Sequence, residues 1–138
     1  MKCETCALNS LKTYKYVVIF ARHNGKWVFC KHKERTTWET AGGHIEKGES
    51  PLDAAKRELY EESGAEDFII TPACDYWAAD ETSQANGVVF YANINRFGSM
   101  PDSEMERAEL FDNLPINLTY PGITPILFDY IKNHCELV

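Results

Sequence analysis

The sequence predicts an α/β fold in which a β-sheet is packed between helices. Two segments, about 51–63 and the stretch from Thr124, carry helix signals and an apolar stripe each. Several runs between them are rich in Val, Ile, Phe, Tyr and Trp and are bounded by turn residues. A sheet with one helix on each side buries both stripes at once.

Residues 1–13 are polar and read as an irregular tail. Tyr14–Phe20 reads as a strand, Asn24-Gly25 as a hairpin turn, and Lys26–Lys31 as the returning strand. Lys31–Arg35 (KHKER) is a basic cluster in an acidic chain, either a solvated loop or a phosphate-steering patch. Thr37–Gly43 is extended and ends in a glycine pair that lets the backbone approach a ligand closely.

The first helix follows, from about Pro51 to Ser63. Ser50 suits the N-cap, Pro51 the first helical position, and Asp53 the first turn, while Gly64 can end the helix with φ > 0. Leu52, Ala55 and Leu59 form its apolar stripe. Glu58, Glu61 and Glu62 lie at i, i+3 and i+4 on a neighbouring arc, where like charges repel. Such an arc is either a solvated acidic face or a seat of hard oxygen ligands for a divalent cation such as Mg²⁺.

Beyond it, Glu66–Trp77 and Gly87–Ile94 read as strands with a polar turn at Asp80–Asn86, and Met105–Phe111 as a short strand. The second helix has Thr124 as cap and Pro125 at its start, with Ile123, Ile126, Leu127, Tyr130 and Ile131 as its stripe.

Composition narrows the function. With 138 residues, one domain spanning 1–138 is expected. A net charge of −7 argues against a general nucleic-acid binder, which needs a basic face, but not against a small phosphorylated substrate. The five scattered cysteines are an odd number and form no disulfide framework. Cys3-x-x-Cys6, with His134 and Cys135, offers at most half of a zinc pattern. No signal peptide or long apolar run is present, so a cytoplasmic location and no membrane contact are expected.

Gly43, Glu49, Arg57-Glu58-Leu59, Glu61-Glu62 and Gly64 stand at fixed spacings, and this pattern resembles the Nudix box. The seven polar or glycine matches among them, at average residue usage, arise by chance at one start point on the order of once in 10⁸. Ala65 and Ala41 depart from the larger aliphatic and the proline common at those positions. Neither touches a metal ligand. The resemblance implies the Nudix fold, a mixed-sheet α/β/α sandwich, and hydrolysis of a nucleoside diphosphate linked to another group.

The resemblance also implies roles. Mg²⁺, with Mn²⁺ as substitute, would be held by Glu58, Glu62 and Glu61, with help from the Gly43 carbonyl. Glu61 is alternatively the base that orients water. Arg57 would orient a carboxylate such as Glu49 or Glu61, and Glu49 would be a ligand or a loop anchor. Glu104 matches the family's acid outside the box, with Glu106 its rival.

Arg22 and Arg35 are candidate phosphate contacts, and Trp38, Tyr76, Trp77 and Phe90 candidate stacking surfaces. The Pro and Tyr markers of ADP-ribose and dinucleoside-polyphosphate members are absent, since Ala79-Asp80 and Glu81-Thr82 stand there. The NADH-cleaving signature is absent too. The run NGKWVFCKHKERTTWETAGGHIEKGE and the LPINLTY tail resemble bacterial triphosphatases of the 8-oxo-dGTP diphosphatase kind, so the resemblance implies a nucleoside triphosphate substrate, with 8-oxo-dGTP as one candidate, cleaved by a monomer or homodimer. The alternatives are an ADP-ribose or nucleotide-sugar pyrophosphatase and a non-catalytic nucleotide-binding module.

Overall fold

A computed structural model describes residues 1–136. Ten elements follow in order: β1 Lys2–Cys6, β2 Tyr16–His23, β3 Lys26–His32, β4 Trp38–Glu39, β5 Ala41–His44, α1 Pro51–Ser63, β6 Ala65–Ala79, β7 Gln84–Phe97, β8 Met105–Phe111 and α2 Thr124–His134. The strands form one sheet in the order β1-β6-β7-β2-β3-β4, with β5 added to β2 and β8 to β3. The β2–β7 pair is parallel and the others are antiparallel, so the sheet is mixed as expected.

Strand β2 alternates between two buried faces. Val17, Ile19 and Ala21 pack beneath α1, and Phe20 packs beneath α2 with Trp27, Phe29 and Phe128. Its outer edge is shared. Residues Ala21–His23 pair with β3, whereas Tyr16–Ile19 pair with β5. The hairpin therefore splays, and β5 fills the opening with Gly42 and Gly43. At Gly42 a Cβ would lie 2.4 Å from the Val17 carbonyl oxygen, so only glycine lets the two strands close.

Helix α1 begins and ends where its signals put it. The Asp53 amide donates to Ser50 Oγ at 3.1 Å, and Gly64 takes φ 78°. Ser50→Ala should remove that cap and lower stability by about 1 kcal/mol, read as a drop in the urea midpoint at unchanged slope. Its buried stripe is Ala54, Ala55 and Leu59, while Leu52 is largely exposed. Leu52 is the second residue of the helix, and Ala54 is buried where Leu52 is not.

Several expectations need correction. The first 13 residues are not all irregular, because β1 pairs residue by residue with Ala79–Asp75 of β6. Its polar sequence hides this, since an edge strand of five residues needs only Cys3 buried. The α2 cap is Ile123, without a side-chain bond, and Thr124 is instead the first helical residue. Ile126 is exposed on that helix, and Phe128 takes its place in the core. Strands β6 and β7 also extend beyond their expected ends, with Pro72 tolerated at a bulge between Pro72 and Cys74. Among the described residues no helix is long and apolar enough to cross a membrane.

Candidate functional site

The acidic arc of α1 lies against the glycine-bearing strand β5. Glu62 is buried and accepts a bond from the Gly42 amide at 2.7 Å. Its carboxyl is pushed up to about 8, first by burial and then by the charges of Glu58, Glu39 and Glu104, against the lowering effect of the Gly42 bond. Among the described residues no Lys or Arg pairs with it. Glu58 is raised as well, chiefly by burial, although Arg57 pulls it down. Gly43 faces that carboxylate: a Cβ there would come within 2.6 Å of Glu58 Oε1.

Arg57 organises the entry loop. Its Nε and Nη2 donate to both oxygens of Glu49 at 2.8 and 2.9 Å, and Nη2 reaches the His44 carbonyl at 3.2 Å. Nη1 donates to Glu58 at 2.8 Å and to Glu61 at 3.4 Å. This fork holds the Glu49 carboxyl down at about 2, with the Arg57 bonds the leading cause. Glu49 also accepts from the Glu46 amide, so both of its oxygens are engaged in fixing the loop. Glu61 is the most exposed of the three helix acids.

The acids outside the box divide clearly. Glu104 is exposed and adds to the negative field at both Glu58 and Glu62. Glu106 is bound to Lys31 at 3.0 Å. The basic cluster is likewise paired: Lys33 with Asp102 at 2.9 Å, His32 with Glu104 at 3.8 Å, and Arg35 with Glu39 at 3.1 Å.

The candidate substrate contacts separate in space. Arg22 donates to the Gly25 carbonyl at 2.6 Å and lies over the Trp27 ring, on the α2 face of the sheet. The fold therefore does not bring it to the α1 acids. Tyr76 and Phe90 are core residues, and Trp77 sits beside Lys2 near the edge strand. Trp38 borders a groove, about 350 Å³, formed with Phe111, Leu114, Pro115 and the polar Asn113 and Asn117, and it packs with Phe111 and Leu114 on the α2 side of the sheet.

Cys3 and Cys6 stand opposite Ala78 and Asp75 of β6, so they point to opposite sheet faces and cannot share a zinc ion. Sequence reasoning missed Glu39. The available signal was an acid beside Trp38 on a strand leading into the glycine pair.

A family model described as the NUDIX domain matches residues 12–112. The chain belongs to the Nudix family. The Bacillus subtilis protein YtkD, whose name assigns it provisionally as an 8-oxo-dGTP diphosphatase, is 30% identical over 106 residues, covering 76% of this chain and 66% of that protein. An RNA pyrophosphohydrolase of Bartonella henselae is 36% identical over 69 residues, covering 44% and 40%. This chain thus spans about two thirds or less of the length of these relatives. A crystal structure of a mutant Bacillus subtilis pyrophosphohydrolase, BsRppH, superposes with a TM-score of 0.81 at 23% identity, over 99% of this chain and 93% of that one, which shows a shared Nudix fold.

In this Nudix domain, the residues present suit a divalent cation. Glu62 is a buried acid surrounded by like charges, and the bare Gly43 leaves room beside Glu58. Both features fit a cation held by hard oxygens. Among the described residues no three acidic, histidine or cysteine side chains already converge on a metal position. Glu58 leans on Arg57 and Glu62 on the Gly42 amide, so binding would re-aim side chains rather than fill a finished cage.

Proposed function

We propose that this Nudix protein is a divalent-metal-dependent pyrophosphohydrolase that cleaves a nucleoside triphosphate to nucleoside monophosphate and pyrophosphate. 8-oxo-dGTP is one candidate substrate, as the likeness to YtkD suggests. The observation that carries the reading is Glu62, buried beside Glu58 against a glycine pair and short of positive charge. Mg²⁺ held by Glu58, Glu62, Glu61 and the Gly43 carbonyl would neutralise the phosphates and make bound water acidic.

The chain's own residues do the rest. Arg57 fixes the loop through Glu49 and limits the swing of Glu58. Exposed Glu61 or Glu104 accepts the proton of the attacking water and orients it. Gly42 and Gly43 keep side chains out of the path of the phosphates.

A second reading replaces the free nucleotide by the 5′-triphosphate end of an RNA, prompted by the likeness to RNA pyrophosphohydrolases. The net charge of −7 weighs against it. The purified protein should be incubated with Mg²⁺ and ordinary and 8-oxo triphosphates, ADP-ribose, a nucleotide sugar and a 5′-triphosphorylated oligonucleotide. Pyrophosphate and monophosphate from free triphosphates are expected. Release from the oligonucleotide alone would establish the second reading, and AMP from ADP-ribose alone would overturn both.

A further inference from the structure

An acid buried on an edge strand needs a reason, because Glu is almost never buried without a partner. Glu39 is buried on the two-residue strand β4, where any β-branched residue would serve the sheet. It also adds negative charge next to acids that already repel one another. Directly across the strand pair stands Cys30, whose Sγ lies 3.4 Å from the Glu62 carbonyl oxygen. Cross-strand partners share a face, so the Glu39 carboxylate is on the side of the α1 acids.

Its partner is Arg35, whose Nη1 donates to Glu39 Oε2 at 3.1 Å. Among the described residues Nε and Nη2 of Arg35 donate to no partner. The guanidinium is half exposed, and its charge, like those of Glu39 and Glu62, reaches the phenol of Tyr120. Arg35 is thus gripped on one edge and open on the other, beside the carboxylates.

We propose that Glu39 is a positioning residue that holds one edge of Arg35 so that the opposite edge meets the phosphates of the substrate. Two free N–H groups on a planar fork match two phosphate oxygens. The grip removes rotamer freedom before the substrate arrives, so less is lost on binding. The inference rests on the proposed function, since it requires a polyphosphate ligand.

Two simple ideas about Glu39 predict opposite signs. A carboxylate that merely stands near the phosphates repels them, and its removal tightens binding. A carboxylate that aims Arg35 loosens binding when removed. The probe is a non-hydrolysable triphosphate analogue, titrated calorimetrically in Mg²⁺ against wild type, Glu39→Leu, Glu39→Gln, Arg35→Met and the Glu39→Leu/Arg35→Met double variant. Should Glu39→Leu not fold, Glu39→Ala replaces it in both.

We expect Glu39→Leu to weaken binding about tenfold, as Arg35→Met does, with the double variant no weaker than Arg35→Met alone. Glu39→Gln keeps an acceptor oxygen and should stay within about threefold of wild type. In turnover assays KM should rise with kcat nearly unchanged. Tighter binding by Glu39→Leu, effects that multiply in the double variant, or unaltered binding by Arg35→Met would each overturn the inference while leaving wild-type hydrolysis standing. A wild type that neither binds nor cleaves any triphosphate would overturn the proposed function itself.

Discussion

Glu62→Gln is expected to lower turnover by a factor of about 10²–10³ while making the metal-free protein more stable at alkaline pH. The two effects share one cause. Burial and neighbouring acids raise the Glu62 carboxyl to about 8 in the folded chain, well above its ordinary value. The unfolded chain therefore releases this proton at lower pH than the folded one does. Folding loses stability from about pH 4.5 upward, and the loss is complete once the pH passes the folded value near 8.

Over that window the penalty amounts to a few kcal/mol. Glutamine keeps an oxygen for the Gly42 amide but carries no charge, so the variant escapes the penalty. Its melting temperature should match wild type near pH 4.5, exceed it progressively toward pH 8, and level off above. Mg²⁺ should raise the wild-type melting temperature at pH 8 and do much less for the variant. Equal melting curves for the two proteins at pH 9 would sink the account of Glu62 as a strained buried acid.

The second large effect separates two adjacent glycines. Gly42→Ala puts a Cβ 2.4 Å from the Val17 carbonyl oxygen, which is backbone and cannot turn away. Strand β5 must shift from β2, at a cost of about 2–3 kcal/mol, and the amide that holds Glu62 moves with it. Both the urea midpoint and turnover should fall. Gly43→Ala meets instead the Glu58 carboxylate, a side chain that can rotate. Its stability should change by less than about 1 kcal/mol while turnover drops at least tenfold. Identical unfolding curves for Gly42→Ala and wild type would refute the close approach of β5 to β2.

Much of the site was legible because its signals are local. Ser50, Pro51 and Gly64 fixed the α1 boundaries, and the spacing of Glu58, Glu61 and Glu62 placed three acids on adjoining arcs whatever the helix packs against. The box spacing alone marks the family. Arg57 was expected to steer Glu49 or Glu61. Its main bonds go to Glu49 and Glu58, a choice among neighbours that only loop geometry makes.

What the sequence could not show depends on which face a strand turns and where a distant segment docks. Arg22 and Arg35 look alike in the chain, yet strand alternation sends Arg22 to the α2 face, and the edge strand ties Arg35 to Glu39 near the acids. Glu104 and Glu106 are separated by one residue, and pairing with β3 gives Lys31 to Glu106 and leaves Glu104 exposed.

By itself, then, the sequence determined the ends of α1, the acidic arc, the glycine pair and the family, since each follows from bonds and spacings within a few residues. Tertiary structure alone decided the joining of β1 to β6, the burial of Glu62, the pairing of Arg35 with Glu39 and the separation of Cys3 from Cys6. Those depend on strand register and on water excluded by segments far apart in the chain, and neither is written in any short stretch of residues.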